Sequence, residues 1–184
     1  MNAGLIVLAL GLGLVVWFLV AYNGLVRMRQ GVKNAWSQID VQLKRRHDLI
    51  PNLVEAVRGY LAHERQTLEH VTRARAQAVN ADGLKARAEA ENLLTQTLRS
   101  LFAVVERYPD LKATQNVLAL QEELTSTENR IAFARQFYND LVMRFNTRIQ
   151  VVPTNVVASL FGIKEEAYFE IPVAEQEPVK VDLR

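Results

Sequence analysis

The chain has 184 residues, with 22 Lys and Arg against 20 Asp and Glu and a formal charge of +2. So even a balance gives no reason to expect nucleic acid as a partner. Cysteine is absent, which excludes a disulfide framework, a thiol nucleophile and a thiolate metal site.

The first charged side chain is Arg27, and the run from Ala3 to Tyr22 before it holds no Asp, Glu, Lys or Arg. About 20 apolar residues in a helix, at ~1.5 Å each, cross the ~30 Å hydrocarbon layer of a bilayer. A cleaved secretory signal is the competing reading. Such signals carry a basic n-region, a shorter apolar core and small residues at the cleavage site. Here Met1-Asn2 is uncharged and the run ends in bulky residues, Trp17 to Tyr22. Residues 1–26 therefore read as an uncleaved anchor, with Leu5 in lipid, Tyr22 toward the inner headgroup level and Trp17 either there or facing the lipid tails. Arg27, Arg29 and Lys33 follow the run directly, then Lys44, Arg45 and Arg46. The positive-inside rule puts the N-terminus outside the cell (inner) membrane and the C-terminal domain in the cytoplasm. Ala9 and Gly13 form one small-xxx-small pair, a weak signal of helix pairing in lipid.

Residues 27–60 hold seven Lys and Arg against three acids. Such a stretch beside the inner leaflet is drawn to anionic headgroups, with Arg27, Arg29 and Lys33 as the candidate contacts. A plain solvated face that sets topology explains the same charges.

Helical spacing dominates from residue 24 to 152. Val32, Trp36, Ile39 and Leu43 recur at three and four residues, one stripe of an amphipathic helix. Asp48 as an N-cap and Pro51 in a first turn predict a break near residue 47. The stripe stays nearly in phase through Ile50, Leu53, Val57 and Leu61, so one Pro-kinked helix is the alternative. The next helix is predicted to run to about Val79, with a turn at Asn80-Ala81-Asp82-Gly83. A third helix carries Leu84, Leu94, Leu98, Leu101 and Val105 and stops at Tyr108-Pro109. Asp110 then caps a fourth. Val117, Leu124, Ile131, Tyr138, Phe145 and Val152 recur at seven, as do Leu120, Thr127, Ala134 and Leu141, a coiled-coil-like pattern ended by Pro153. Asn155 opens a short apolar turn through Phe161, closed by Gly162. Residues 164–184 read as an extended or disordered tail, with alternation at Tyr168 to Val173.

The predicted fold is all-α: a single N-terminal transmembrane helix (1–26), an antiparallel up-and-down four-helix bundle (27–152), and a short helical turn with an extended tail (153–184). In that topology the turn at Val156 to Phe161 returns toward the bilayer. Phe161 then either touches the headgroup layer or plugs the end of the bundle.

No catalytic constellation, metal site or cofactor motif is legible. His63 and His70 lie seven apart with Glu64 and Glu69 beside them, without the spacing of a zinc helix or a di-iron bundle. Glu89, Glu91, Glu122 and Glu123 read as surface carboxylates. No P-loop, nucleophile elbow or dinucleotide turn occurs. The polar residues that stand out lie beside the apolar stripes: Asp40, Arg45, Asn52, Glu128, Asn129, Arg135, Tyr138, Asn139 and Asp140. They form either interhelical contacts that fix the bundle or a face that docks a partner.

Several of these segments resemble the LemA family. They include Tyr22-Asn23-Gly24-Leu25-Val26, Ala35 to Arg46 (AWSQIDVQLKRR), Asp48 to Val54 (DLIPNLV) and Gly59-Tyr60 with His63-Glu64. Tyr108 to Ala113 (YPDLKA), Thr127-Glu128-Asn129, Tyr138-Asn139-Asp140 and Phe161-Gly162 with Tyr168-Phe169 continue the likeness. The resemblance covers about residues 22 to 170. It implies a single-span bacterial membrane protein with a cytoplasmic four-helix bundle, and a relative of the magnetosome membrane. It carries over no catalytic residues. Val151-Val152-Pro153 departs from the family, which usually has an aromatic before the proline. Three functions follow as expectations. The first is a non-enzymatic scaffold that docks a protein partner of unknown identity. The second is a self-assembling organiser, a homo-oligomer on anionic lipid. The third is a metal-dependent or hydrolytic bundle using His63, Glu64 and His70.

Overall fold

A computed structural model describes residues 3–61 and 64–169. Its regular elements are α1 (Ala3–Arg58), α2 (Arg65–Asn80), α3 (Leu84–Val105), α4 (Pro109–Lys112), α5 (Gln115–Gln150) and α6 (Thr154–Leu160). No strand occurs among the described residues, so the predicted all-helical class is what is found. The described residues fall into two compact units, 3–38 with 134–168 and 39–133 with Phe169.

In the first unit the apolar run of α1 is bare. From Ala3 to Val20 every side chain is exposed except Phe18, which is half-buried. Among the described residues α1 is the one helix long and apolar enough to cross a membrane. A core helix of a water-soluble protein would have buried such a run. Burial begins at Ala21 and recurs at Leu25, Val32 and Ala35, at helical spacing. The α5 stripe of this unit is Tyr138, Val142, Phe145 and Ile149. Ala134 and Leu141, expected in the second buried row, are only half-buried, while Arg135 and Val142 take that place. A straight helix drifts ~20° per heptad against a strict seven-residue repeat, which moves the row by one position. Val152, expected to continue the first row, lies beyond the end of α5 and is exposed.

The chain then turns through a cis Val152–Pro153 bond into α6. The Thr154 hydroxyl donates to the carbonyls of Arg148, at 2.6 Å, and Val151, at 3.0 Å. Gly162, at φ +61°, closes α6 as predicted. Its left-handed conformation lets the Ile163 N–H donate to Ala158 O at 2.9 Å and its own N–H to Ser159 O at 3.1 Å. Residues 164–168, predicted as part of a loose tail, are instead tied to α5. Asn146 Nδ2 donates to Glu166 O at 2.9 Å, and its Oδ1 accepts from the Glu166 N–H at 3.0 Å. The Tyr138 hydroxyl donates to Ala167 O at 2.8 Å. The predicted alternation beyond Phe169 lies outside the described residues.

In the second unit, the expected helix break near residue 47 does not occur. Asp48 is exposed within α1 and caps nothing; the helix continues past Pro51 to Arg58. Proline has no N–H to give to the carbonyl four residues back, here that of His47. Arg75 of α2 supplies the missing donor, its Nε reaching His47 O at 2.6 Å. The break falls instead after Arg58, where Tyr60 and Leu61 N–H both turn back onto Val57 O. Helical periodicity runs through Val57 and Leu61 and hides this turn. The turn before α3 is where it was predicted, with Gly83 at φ +82°. Asp110 lies in the first turn of α4, which starts at Pro109, rather than capping α5. The core gathers Ile50, Leu53 and Val57 of α1, Leu68 and Val71 of α2, Leu94, Leu98 and Leu101 of α3, Leu111 of α4, and Val117 and Leu124 of α5.

Candidate functional site

The largest departure from a purely apolar interior is in the second unit. The α1 stripe reads Ile39, Leu43, Arg46, Ile50, Leu53, Val57, so a guanidinium occupies a core position. The α3 stripe reads Ala88, Glu91, Leu94, Leu98, so a carboxylate does the same. Both side chains are fully buried and pair through Arg46 Nη2 and Glu91 Oε2. Arg46 Nη1 pairs with Glu128 of α5, whose side chain reaches the surface, and donates to Thr95 Oγ1 at 2.8 Å. The Thr95 hydroxyl lies 3.1 Å from Glu91 O and 3.3 Å from Glu128 Oε2. His47 Nε2 stands 3.0 Å from the other Glu91 oxygen. Burial by itself pushes the Glu91 carboxyl up, but the His47 imidazole and the Arg46 guanidinium outweigh it and hold the group below its usual 4.5. Three helices, α1, α3 and α5, thus meet at one arginine. The cluster is closed off from solvent at Arg46 and Glu91. Its chemistry is that of a register pin, since an arginine presented to any other turn of α3 would be buried without a carboxylate.

The surface of the same unit carries an open groove of about 650 Å³ between α3 and α5. Phe102 and Glu106 form one wall; Glu122, Thr125, Asn129 and Arg130 form the other, with Phe133 at the end. Phe133 is 72% exposed, the most exposed aromatic ring among the described residues. An uncovered ring flanked by amides, hydroxyls and charges of both signs suits contact with another protein, because aromatic anchors with polar rims dominate such interfaces. Nothing in the groove pairs a nucleophile with a base.

In the first unit, the Tyr138 ring meets the edge of Trp36 at a centroid distance of 5.8 Å. Burial, and then the Glu166 carboxylate, push the Tyr138 phenol above its usual 10.0. Arg29 Nε pairs with Glu166 Oε1 at 2.9 Å. At α6, the Phe161 ring lies 4.4 Å from that of Tyr22 and 5.8 Å from that of Phe18.

The LemA family pattern matches residues 35–183. The chain belongs to the LemA family. Protein LemA of Metamycoplasma hominis is 30% identical over 161 residues, which span 87% of this chain and 73% of that protein. Magnetosome protein MamQ 2 of Paramagnetospirillum magneticum is 27% identical over 187 aligned positions, spanning 88% of this chain and 69% of the relative. Magnetosome protein MamQ of Magnetospirillum gryphiswaldense is 26% identical over the same spans.

The polar residues singled out from the sequence divide by unit and by burial. Asp40 pairs with Arg87, and Arg45 with Glu123 at 2.6 Å, both partly exposed. Glu128 belongs to the buried cluster. Asn52 and Asn129 are exposed, and of these Asn129 lines the groove. In the first unit Arg135 and Tyr138 are buried, Asn139 is half-buried and Asp140 is exposed. Leu5 is exposed, and so is Trp17, though less fully. Arg27 Nε donates to Asn23 O at 3.3 Å, and Lys33 is exposed. Glu91, expected on the surface, is the residue placed most wrongly. Arg46, His47, Thr95 and Asn146 were missed. The signal for Arg46 and Glu91 was their place in the apolar stripes. For the metal alternative, His63 lies outside the described residues, His70 is exposed, and Glu64 stands 3.7 Å from Arg107.

Proposed function

We propose that this LemA-family chain is a membrane-anchored, non-enzymatic docking protein. The apolar run of α1 crosses the cell membrane with the N-terminus outside, and the helical domain offers the α3–α5 groove to a membrane or cytoplasmic protein. The observation that carries this is Phe133, an uncovered aromatic ring at the end of a groove with a mixed polar rim. The bare apolar face of α1 supports the anchor, and Arg27, Arg29 and Lys33 directly after it support the orientation. The Arg46–Glu91 ion pair is enclosed in the core, away from solvent, which favours a structural role for it over a reaction. Relatives named as magnetosome proteins support a place at a membrane.

The test is in-cell crosslinking of the full chain with a photoreactive residue in place of Asn129. The expected result is one captured protein, reduced about tenfold by Phe133→Ser, as for an interface anchor, with the thermal melt unchanged. Capture of only a second copy and lipid would replace docking with self-assembly. Capture indifferent to Phe133→Ser would remove the groove from the proposal.

A further inference from the structure

The stretch from Ile149 to Ile163 contains no charged residue, and Arg148 and Lys164 bound it. It holds α6 and the turn before it. One face of α6 is used inside the first unit, where Thr154, Val157 and Ala158 are buried. The opposite face is apolar and uncovered: Val152 is 80% exposed, Val156 62%, Leu160 70% and Phe161 50%. Uncovered apolar surface of this extent on a soluble chain marks an interaction site.

What covers it follows from where α6 is held. Phe161 rests on Phe18 and Tyr22 of α1. Tyr22 ends the apolar run, and Phe18 lies four residues, ~6 Å along a helix, inside that end. The α6 surface is therefore continuous with the lipid-facing surface of the run, at the depth where hydrocarbon gives way to headgroups. Arg144, Arg148 and Lys164 flank it and are exposed, in reach of anionic headgroups while their stems lie on apolar surface. We infer that α6 is a second membrane contact: Val152, Val156, Leu160 and Phe161 seat in the interfacial layer of an anionic bilayer beside the point where α1 leaves it. This rests on the reading of α1 as a membrane span. A single helix leaves the tilt of the first unit free; a second apolar foot beside it fixes that tilt.

The chain has no cysteine, so single labels report unambiguously. The full chain, in vesicles of phosphatidylcholine and phosphatidylglycerol, would carry an environment-sensitive fluorophore at Leu160→Cys. Leu12→Cys in the run and the exposed Val41→Cys on α1 are the references. Lipids brominated near the carbonyl end or deep in the chain act as quenchers. The Leu160 label should be blue-shifted and quenched several-fold more than the Val41 label, most strongly by the shallow bromines. The Leu12 label should be quenched by the deep ones. Leu12 quenched with Leu160 behaving like Val41 would overturn the second contact and leave the span standing. A blue shift at Leu160 without lipid quenching would mean that a second copy covers it, and would overturn the proposal. No quenching at Leu12 would overturn the span, and the second contact with it.

Discussion

The two units break the rule of apolar inside and polar outside in opposite ways. The second unit buries an arginine, a glutamate and a histidine in its core. The first unit also buries Arg135, but its larger departure is the uncovered α1 run and outer face of α6. The charges inside are tolerable because they are given to one another: Arg46 has Glu91, Glu128 and Thr95 within reach. Among the described residues the apolar groups outside stay largely uncovered, with Phe161 resting on Phe18 and Tyr22. A buried charge is explained by its neighbours, whereas a bare apolar face is explained only by its solvent. For this chain that solvent is lipid in our proposal.

The comparison breaks most readily at Arg46. Arg46→Met leaves Glu91 buried without its guanidinium and should cost on the order of 3–5 kcal/mol in a denaturant melt. Combining it with Glu91→Leu should recover most of that loss. A double variant no more stable than the single one would show that the cluster is held by something other than the pair. Smaller is the effect of Arg75→Met, which strips His47 O of the donor that Pro51 cannot supply, at about 1–3 kcal/mol. Adding Pro51→Ala restores a backbone N–H, so the double-mutant cycle should show positive coupling. Additive losses would mean that Arg75 does not serve the proline.

Acid sharpens the contrast further. Glu91 titrates below its unfolded value of 4.5 in the folded state. Its contribution is therefore complete above that value and lost as pH falls through the lower, folded one. Stability should decline in that acid window, and Glu91→Gln should flatten the decline. In the first unit, Asn146→Ala removes both hydrogen bonds to Glu166 and should cost about 1–2 kcal/mol. It should also speed amide exchange at Glu166 while the second unit's exchange stays as it was. The smallest effect is expected at Asn129→Ala, within about 0.5 kcal/mol, because the side chain is exposed. A large loss there would make the groove part of the architecture rather than a docking face.

The sequence by itself determined the all-helical class, the bare apolar run, the turn at Gly83 and the closure of α6 at Gly162. Each follows from local chemistry: hydropathy at one spacing, or a backbone conformation that only glycine takes without strain. It also contained, unread, the two charges in the apolar stripes, because a lone polar residue in a stripe has no meaning until its partner on another helix is known. Tertiary structure decided the rest. Pro51 reads locally as a first-turn proline, but a donor on α2 lets α1 pass it. The turn after Arg58 was invisible because the apolar period carries on across it. The tail from Lys164 is extended by composition, yet Asn146 and Tyr138, some twenty to thirty residues back, hold its backbone in place. Hydrogen bonds and ion pairs between distant segments depend on which surfaces meet, and periodicity along one helix records only that a surface will be covered.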